Sequence, residues 1–200
     1  MRGSLIIIAL FIIGVLMGRF VEMPDFITAN DPTLYALYVL MFLVGISIGS
    51  DKKALQALKQ QNLKIALVPL GTILGTLAGS AVISIVLSGR SLTDCLAVGS
   101  GFGYYSLSSI FITQYKGAEL GTIALVSNII RELITLLAAP LLVRWFGKLA
   151  PISVGGATTM DTTLPVITRF SGKEFVVVSI FHGITVDFSV PFLVTFFCTI

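Results

Sequence analysis

The sequence predicts an all-α, polytopic helical membrane protein of about seven transmembrane segments, two of them broken helices. Three observations carry this. Of the 200 residues, 56% are hydrophobic and 12% charged, against a charged share of about 25% in a soluble domain. The mean hydropathy of +0.99 is an average over the whole chain, so the apolar excess is not one anchor helix attached to a soluble enzyme. Each helical crossing takes about 20 apolar residues, and the length holds roughly six to eight of them.

Apolar runs between charged breaks give the segments 4–20, 33–49, 63–87, 92–113, 120–146, 151–170 and 174–200, which together form a single transmembrane domain over 1–200. The first follows Met1-Arg2-Gly3-Ser4, as in a signal peptide, but no small-residue cleavage site comes after it, so it reads as an uncleaved span. Between the second and third lies a polar stretch with helical spacing, 51–62, carrying Lys52, Lys53 and Lys59, with Lys64 just beyond. Such a stretch belongs on the cytoplasmic surface. If every segment crosses once, eight basic residues (Arg2, Lys52, Lys53, Lys59, Lys64, Lys116, Arg169, Lys173) are cytoplasmic and four (Arg19, Arg90, Arg144, Lys148) are outside. That predicts an N-terminus inside and Ile200 outside. A re-entrant fourth or sixth segment would overturn the count.

Segments four and six contain Gly99-Ser100-Gly101-Phe102-Gly103-Tyr104-Tyr105-Ser106-Leu107-Ser108-Ser109 and Gly155-Gly156-Ala157-Thr158-Thr159-Met160-Asp161-Thr162-Thr163-Leu164-Pro165. Glycine, serine, threonine and proline weaken a helix interior. Irregular backbone at membrane depth survives only where protein or a watery cavity surrounds it, which makes both segments central. The other reading of the small residues is close helix packing.

Intramembrane ionisable side chains are costly and default to functional candidates. On segment five, Asn128, Arg131, Glu132 and Thr135 share one helix face, with Ser127 at its margin. Either this stripe lines a transport site or Arg131 pairs with an acid to fix packing. In segment six, Asp161 is surrounded by Thr158, Thr159, Thr162 and Thr163. It can cap the second half-helix or, with unwound carbonyls, face a cation. In the last segment His182, Thr185 and Ser189 share a face, Asp187 lies away from His182, and Pro191 cannot bond back to the carbonyl of Asp187. His182 reads as a hydrogen-bonded bundle histidine or a proton carrier; Asp187 stays ambiguous.

Several classes are excluded or weakened. A net charge of +3 and a pI near 9.0 come from basic residues at segment ends and report orientation, not a nucleic-acid partner. Cys95 and Cys198 lie in apolar runs, without the spacing of a disulfide framework or zinc site. No P-loop, H-E-x-x-H, catalytic serine order or dinucleotide fingerprint occurs, so neither an enzyme nor a cofactor is predicted.

The stretch Ala97 to Ser108, the run Arg131-Glu132-Leu133-Ile134, the run Gly155 to Val166, the pair His182-Gly183, and Phe42-Leu43-Val44-Gly45-Ile46 upstream resemble the lysine exporter (LysO-type) family of bacterial inner membranes. The resemblance covers almost the whole chain. It implies export of L-lysine and its toxic analogue thialysine from the cytoplasm, with the family's two essential intramembrane acids falling on Glu132 and Asp161. Asp187 has no counterpart in that pattern. Single-chain members carry an additional N-terminal membrane region, which implies a small membrane subunit supplying it here, or otherwise a homodimer.

The expected function is therefore a multi-pass inner-membrane exporter of L-lysine working by proton antiport within the lipid bilayer. Its binding candidates are Asp161, Glu132, Asn128, Arg131, Thr158, Thr159, Thr162 and His182. A monovalent cation/proton antiporter using the same acids, or a non-transporting membrane scaffold, are the competing readings.

Overall fold

The computed structural model describes residues 63–87 and 89–200, together with isolated helical positions between 13 and 46. The chain forms two units, Met1–Ser50 and Asp51–Ile200. Segments one and two, apart from those isolated positions, and the lysine-bearing connection 51–62 lie outside the described residues. In the second unit the described elements are all helical.

A 3-10 turn, Leu63–Ala66, leads into α1 (Leu67–Val86). Next come α2 (Leu92–Gly99), α3 (Tyr105–Lys116) and α4 (Ala118–Phe146). A short helix α5 (Ala150–Gly155) continues as a 3-10 stretch, Gly156–Met160, before α6 (Leu164–Phe170). A last 3-10 turn, Lys173–Phe175, opens α7 (Val176–Thr199). Among the described residues three helices are long and apolar enough to cross a membrane: α1, α4, and α7 with its leading turn. Their outer faces carry exposed apolar side chains such as Leu74 and Val82 on α1, Leu137 and Leu141 on α4, and Phe188, Phe192 and Phe196 on α7. Outward apolar side chains on helices of this length and hydropathy suit contact with lipid or with another apolar surface.

Segments four and six do break, and the consequence is larger than a kink. With eight and twelve residues, α2 and α3 rise about 12 and 18 Å, each short of a hydrocarbon core of about 30 Å. Their outer ends come together. Arg90, just before α2, pairs with Glu119 at the start of α4, and Asp94 in the first turn of α2 lies 3.7 Å from Lys116, the last residue of α3. Segment four is therefore a hairpin. Gly117, at φ 93, makes the one-residue turn from α3 into α4 in a conformation that a side chain would strain.

Segment six repeats the pattern at the opposite end of α4. Lys148, before α5, pairs with Glu174, after α6, at 3.1 Å. The 29 residues of α4 separate the two hairpin mouths by about 43 Å. The sequence leaves open whether segments four and six cross once or re-enter; within the described residues each turns back on itself at its glycine-rich middle. Lys116 accordingly lies on the side of Arg90, and Lys148 on the side of Glu174, rather than opposite them.

Candidate functional site

The hairpin tips meet. The amide of Ala157 donates to the carbonyl of Phe102 at 2.9 Å. Close approach of two backbones requires the absence of side chains, and Gly156 supplies it: its φ is 62, and a Cβ there would collide with the Phe102 carbonyl. Phe102 itself adopts φ 44 with its side chain fully buried, an uncommon conformation for a bulky residue that its surroundings must hold in place.

Two side chains of α4 brace this junction. Buried Asn128 accepts from the amide of Gly103 at 2.7 Å through Oδ1, while Nδ2 donates to the carbonyls of Ala124 at 2.9 Å and Val98 at 3.4 Å. It thereby ties α2 and the tip of the first hairpin to α4. Arg131 reaches the second hairpin. Its Nε donates to the Val154 carbonyl at 2.7 Å and its Nη2 to the Ser153 carbonyl at 3.0 Å and to Thr76 Oγ1 on α1 at 3.3 Å. The guanidinium lies 5.8 Å from the centre of the Phe102 ring. Among the described residues Arg131 forms no ion pair with an acid. Its positive charge sits instead at the negative end of α5, where carbonyls lack helical partners.

The threonines of the break serve the backbone. Thr158 Oγ1 donates to the Gly155 carbonyl at 2.9 Å and meets Thr163 Oγ1 at 3.2 Å. Thr159 Oγ1 lies 2.8 and 2.9 Å from the carbonyls of Gly156 and Ser179, which share its one hydrogen, and 3.2 Å from His182 Nδ1. His182 Nε2 is 2.9 Å from Thr72 Oγ1. With its single hydrogen on a carbonyl, Thr159 accepts from Nδ1–H, and Thr72 donates to Nε2; the neutral Nδ1–H tautomer satisfies all three groups. His182 is fully buried and links α7, the 3-10 stretch and α1.

The acids stand apart from this bracing. Asp161 and Thr162 are exposed at the break. Asp161 Oδ1 accepts from the adjacent amide of Thr162 at 2.5 Å, whereas the N-cap position of α6 is Thr163, which makes no side-chain cap. Asp161 is thus not a helix cap. Glu132 is half-buried on α4 and forms no ion pair among the described residues. A cavity of about 450 Å³ between α1, α2 and α4 runs from Arg90 and Asp94 to Asn128 and Arg131. A second, of about 410 Å³, lies beyond Thr76 and Arg131 against Gly71, Thr72 and Ser153. Thr76 and Arg131 line both and stand between them. The sequence pattern pointed to most of these polar residues but missed Phe102 and Thr76, which carry no charge and no motif of their own.

Over residues 8–198 the chain matches the family model described as lysine exporter LysO. It is 34% identical over 171 residues to lysine exporter LysO of Escherichia coli K12, covering 84% of this chain and 56% of that protein. It is also 34% identical over 190 residues to a candidate lysine exporter of Haemophilus influenzae Rd, covering 93% of each. The chain therefore spans about half the length of the E. coli relative. No solved structure matches it.

Proposed function

The chain belongs to the lysine exporter LysO family, and from that premise we propose that it is a secondary transporter exporting L-lysine, and thialysine, from the cytoplasm by proton antiport. The observation that supports this reading most is the tip-to-tip meeting of two hairpins at Phe102 and Ala157, with the Asp161 carboxylate exposed beside it. Broken helices at such a point present helix ends and unwound backbone to a small ion or zwitterion near the midplane.

In this reading Asp161 and Glu132 receive the ammonium groups of lysine, and the N-terminal amides of α3 favour its carboxylate. Asn128, Arg131, Thr158, Thr159 and His182 hold the hairpin tips in register, and Thr162 orients Asp161 through its amide. A proton and a substrate ammonium compete for the same carboxylates, so loading one releases the other. Competition of that kind yields exchange across the membrane.

The topology proposed is seven apolar segments in one transporter domain, five crossing and two re-entrant, in a bacterial inner membrane. With both hairpins turning back, nine basic residues (Arg2, Lys52, Lys53, Lys59, Lys64, Arg144, Lys148, Arg169, Lys173) fall inside and three (Arg19, Arg90, Lys116) outside. That asymmetry fits the positive-inside rule better than seven crossings do. The proposed partner is a second copy or a small membrane subunit; a fully active monomer in native mass spectrometry would contradict it. The transport reading is tested in proteoliposomes loaded with labelled L-lysine, with and without an imposed proton gradient. Gradient-dependent efflux supports it; no lysine flux in either condition refutes it, and sodium/proton exchange without lysine flux favours the cation antiporter.

A further inference from the structure

Asp161 and Asp187 are each followed four residues later by proline, Pro165 and Pro191. Proline has no N–H, so the carbonyl four residues before it loses its helical donor. At Asp161 the carbonyl takes a 3.3 Å bond from Leu164 instead. At Asp187 the proline lies inside the continuous helix α7, so the carbonyl of a carboxylate-bearing residue lacks its i+4 donor. Asp187 stands eleven residues into α7, about 17 Å along its axis, near the middle of a crossing helix.

Asp187 is 5% exposed, and among the described residues no group donates a hydrogen bond to its side chain and no cation pairs with it. It is also not sealed in: among the described residues the enclosed side-chain polar atom without a partner is Ser171 Oγ. A buried, unpartnered carboxylate is costly unless it takes up a proton or a cation answers it.

The neighbouring chain brings Asp161 to the same place. Thr159 bonds the Ser179 carbonyl on α7. The next residue, Met160, packs so closely on Gly183 that a Cβ there would lie 2.8 Å from the Met160 Cβ and amide nitrogen. Met160, the residue before Asp161, and the Ala157 carbonyl both pack on Gly183, one helical turn before Asp187 on the same face of α7. Asp187 lies within range of the charge of Asp161, and the Tyr104 hydroxyl, at the N-cap of α3, within range of both. Among the described residues these are the titratable groups on elements packed against α7 whose electrostatic interaction with Asp187 is resolved.

We propose that Asp187 and Asp161 form one all-oxygen site that holds a single positive charge, either an ammonium group of the transported amino acid or the coupling cation. This rests on the transport reading above and adds to it a carboxylate that the family resemblance does not supply. Calorimetric titration of the purified full chain with L-lysine and, separately, with sodium chloride, each over a range of pH, tests it. Asp187→Asn is expected to weaken the binding of lysine at least about tenfold, or to abolish the competition of sodium or protons with lysine. The first result assigns the charge to the substrate and the second to the coupling cation. Asp187→Glu, which keeps the charge, stays within a few-fold of wild type. Pro191→Ala keeps both carboxylates but returns an N–H to the Asp187 carbonyl, so it weakens cation binding while leaving the fold intact. Wild-type affinity and wild-type competition in a folded Asp187→Asn would overturn the proposal. If that variant does not fold, unchanged binding in Pro191→Ala overturns it. A wild-type protein that binds sodium or protons through Asp187 yet ignores lysine would refute the lysine reading and leave the site standing.

Discussion

The amide of Ala157 and the carbonyl of Phe102 form the 2.9 Å hydrogen bond that joins the two hairpins. The glycines around this contact let the two backbones approach, and the side chains of Asn128 and Arg131 brace it from α4.

Gly156 is therefore the position least tolerant of a methyl group. Gly156→Ala faces both a left-handed φ of 62 and a collision with the Phe102 carbonyl, a cost of at least about 2 kcal/mol. Gly75→Ala, where a Cβ meets nothing within 4 Å, is expected to be neutral or stabilising by up to about 1 kcal/mol. Melting temperatures in detergent should fall for the first variant and hold or rise for the second.

Arg131 acts through a fork. Its Nε and Nη2 serve two successive carbonyls, of Val154 and Ser153, which the single ammonium of lysine cannot reproduce. Arg131→Lys is expected to lose about 1–3 kcal/mol of stability despite keeping its charge. Equal melting temperatures for the two proteins would show that charge alone is what this position supplies.

The hairpins make a topological prediction. In a cysteine-free background, cysteines at positions 90 and 116 should label from one side of sealed cells, and cysteines at 148 and 173 from the other. Labelling of 90 and 116 from opposite sides would restore a single crossing for segment four.

How much of this was readable beforehand depends on the residue. The breaks at Gly99–Gly103 and Gly155–Gly156 were, because helix-weakening residues inside an apolar run have a local cause. The stripe of Asn128, Arg131 and Thr135 was too, since helical periodicity sets it; Asn128 and Thr135 are buried as that face requires. The reversal of each hairpin was not. An apolar run of about twenty residues has the same composition whether it crosses or turns back, and the pairs that reveal the turn, Arg90 with Glu119 and Lys148 with Glu174, join residues far apart in sequence. The partner of Arg131 was likewise hidden, because backbone carbonyls answer it where an acid was one expectation. Asp161 could be read as a cap until the start of α6 at Leu164 placed it outside the N-cap position.

The most direct test of the central claim is labelled lysine efflux from proteoliposomes under a proton gradient, comparing wild type with Asp161→Asn and Glu132→Gln. Both substitutions remove a charge while nearly conserving volume, and Asp161 caps no helix, so both variants should fold and insert. If the carboxylates carry the substrate and proton, efflux falls by more than about tenfold in each, as expected where an interaction with a charged group is lost. If both variants export lysine at near wild-type rates, the acids are structural and the proposed mechanism is wrong.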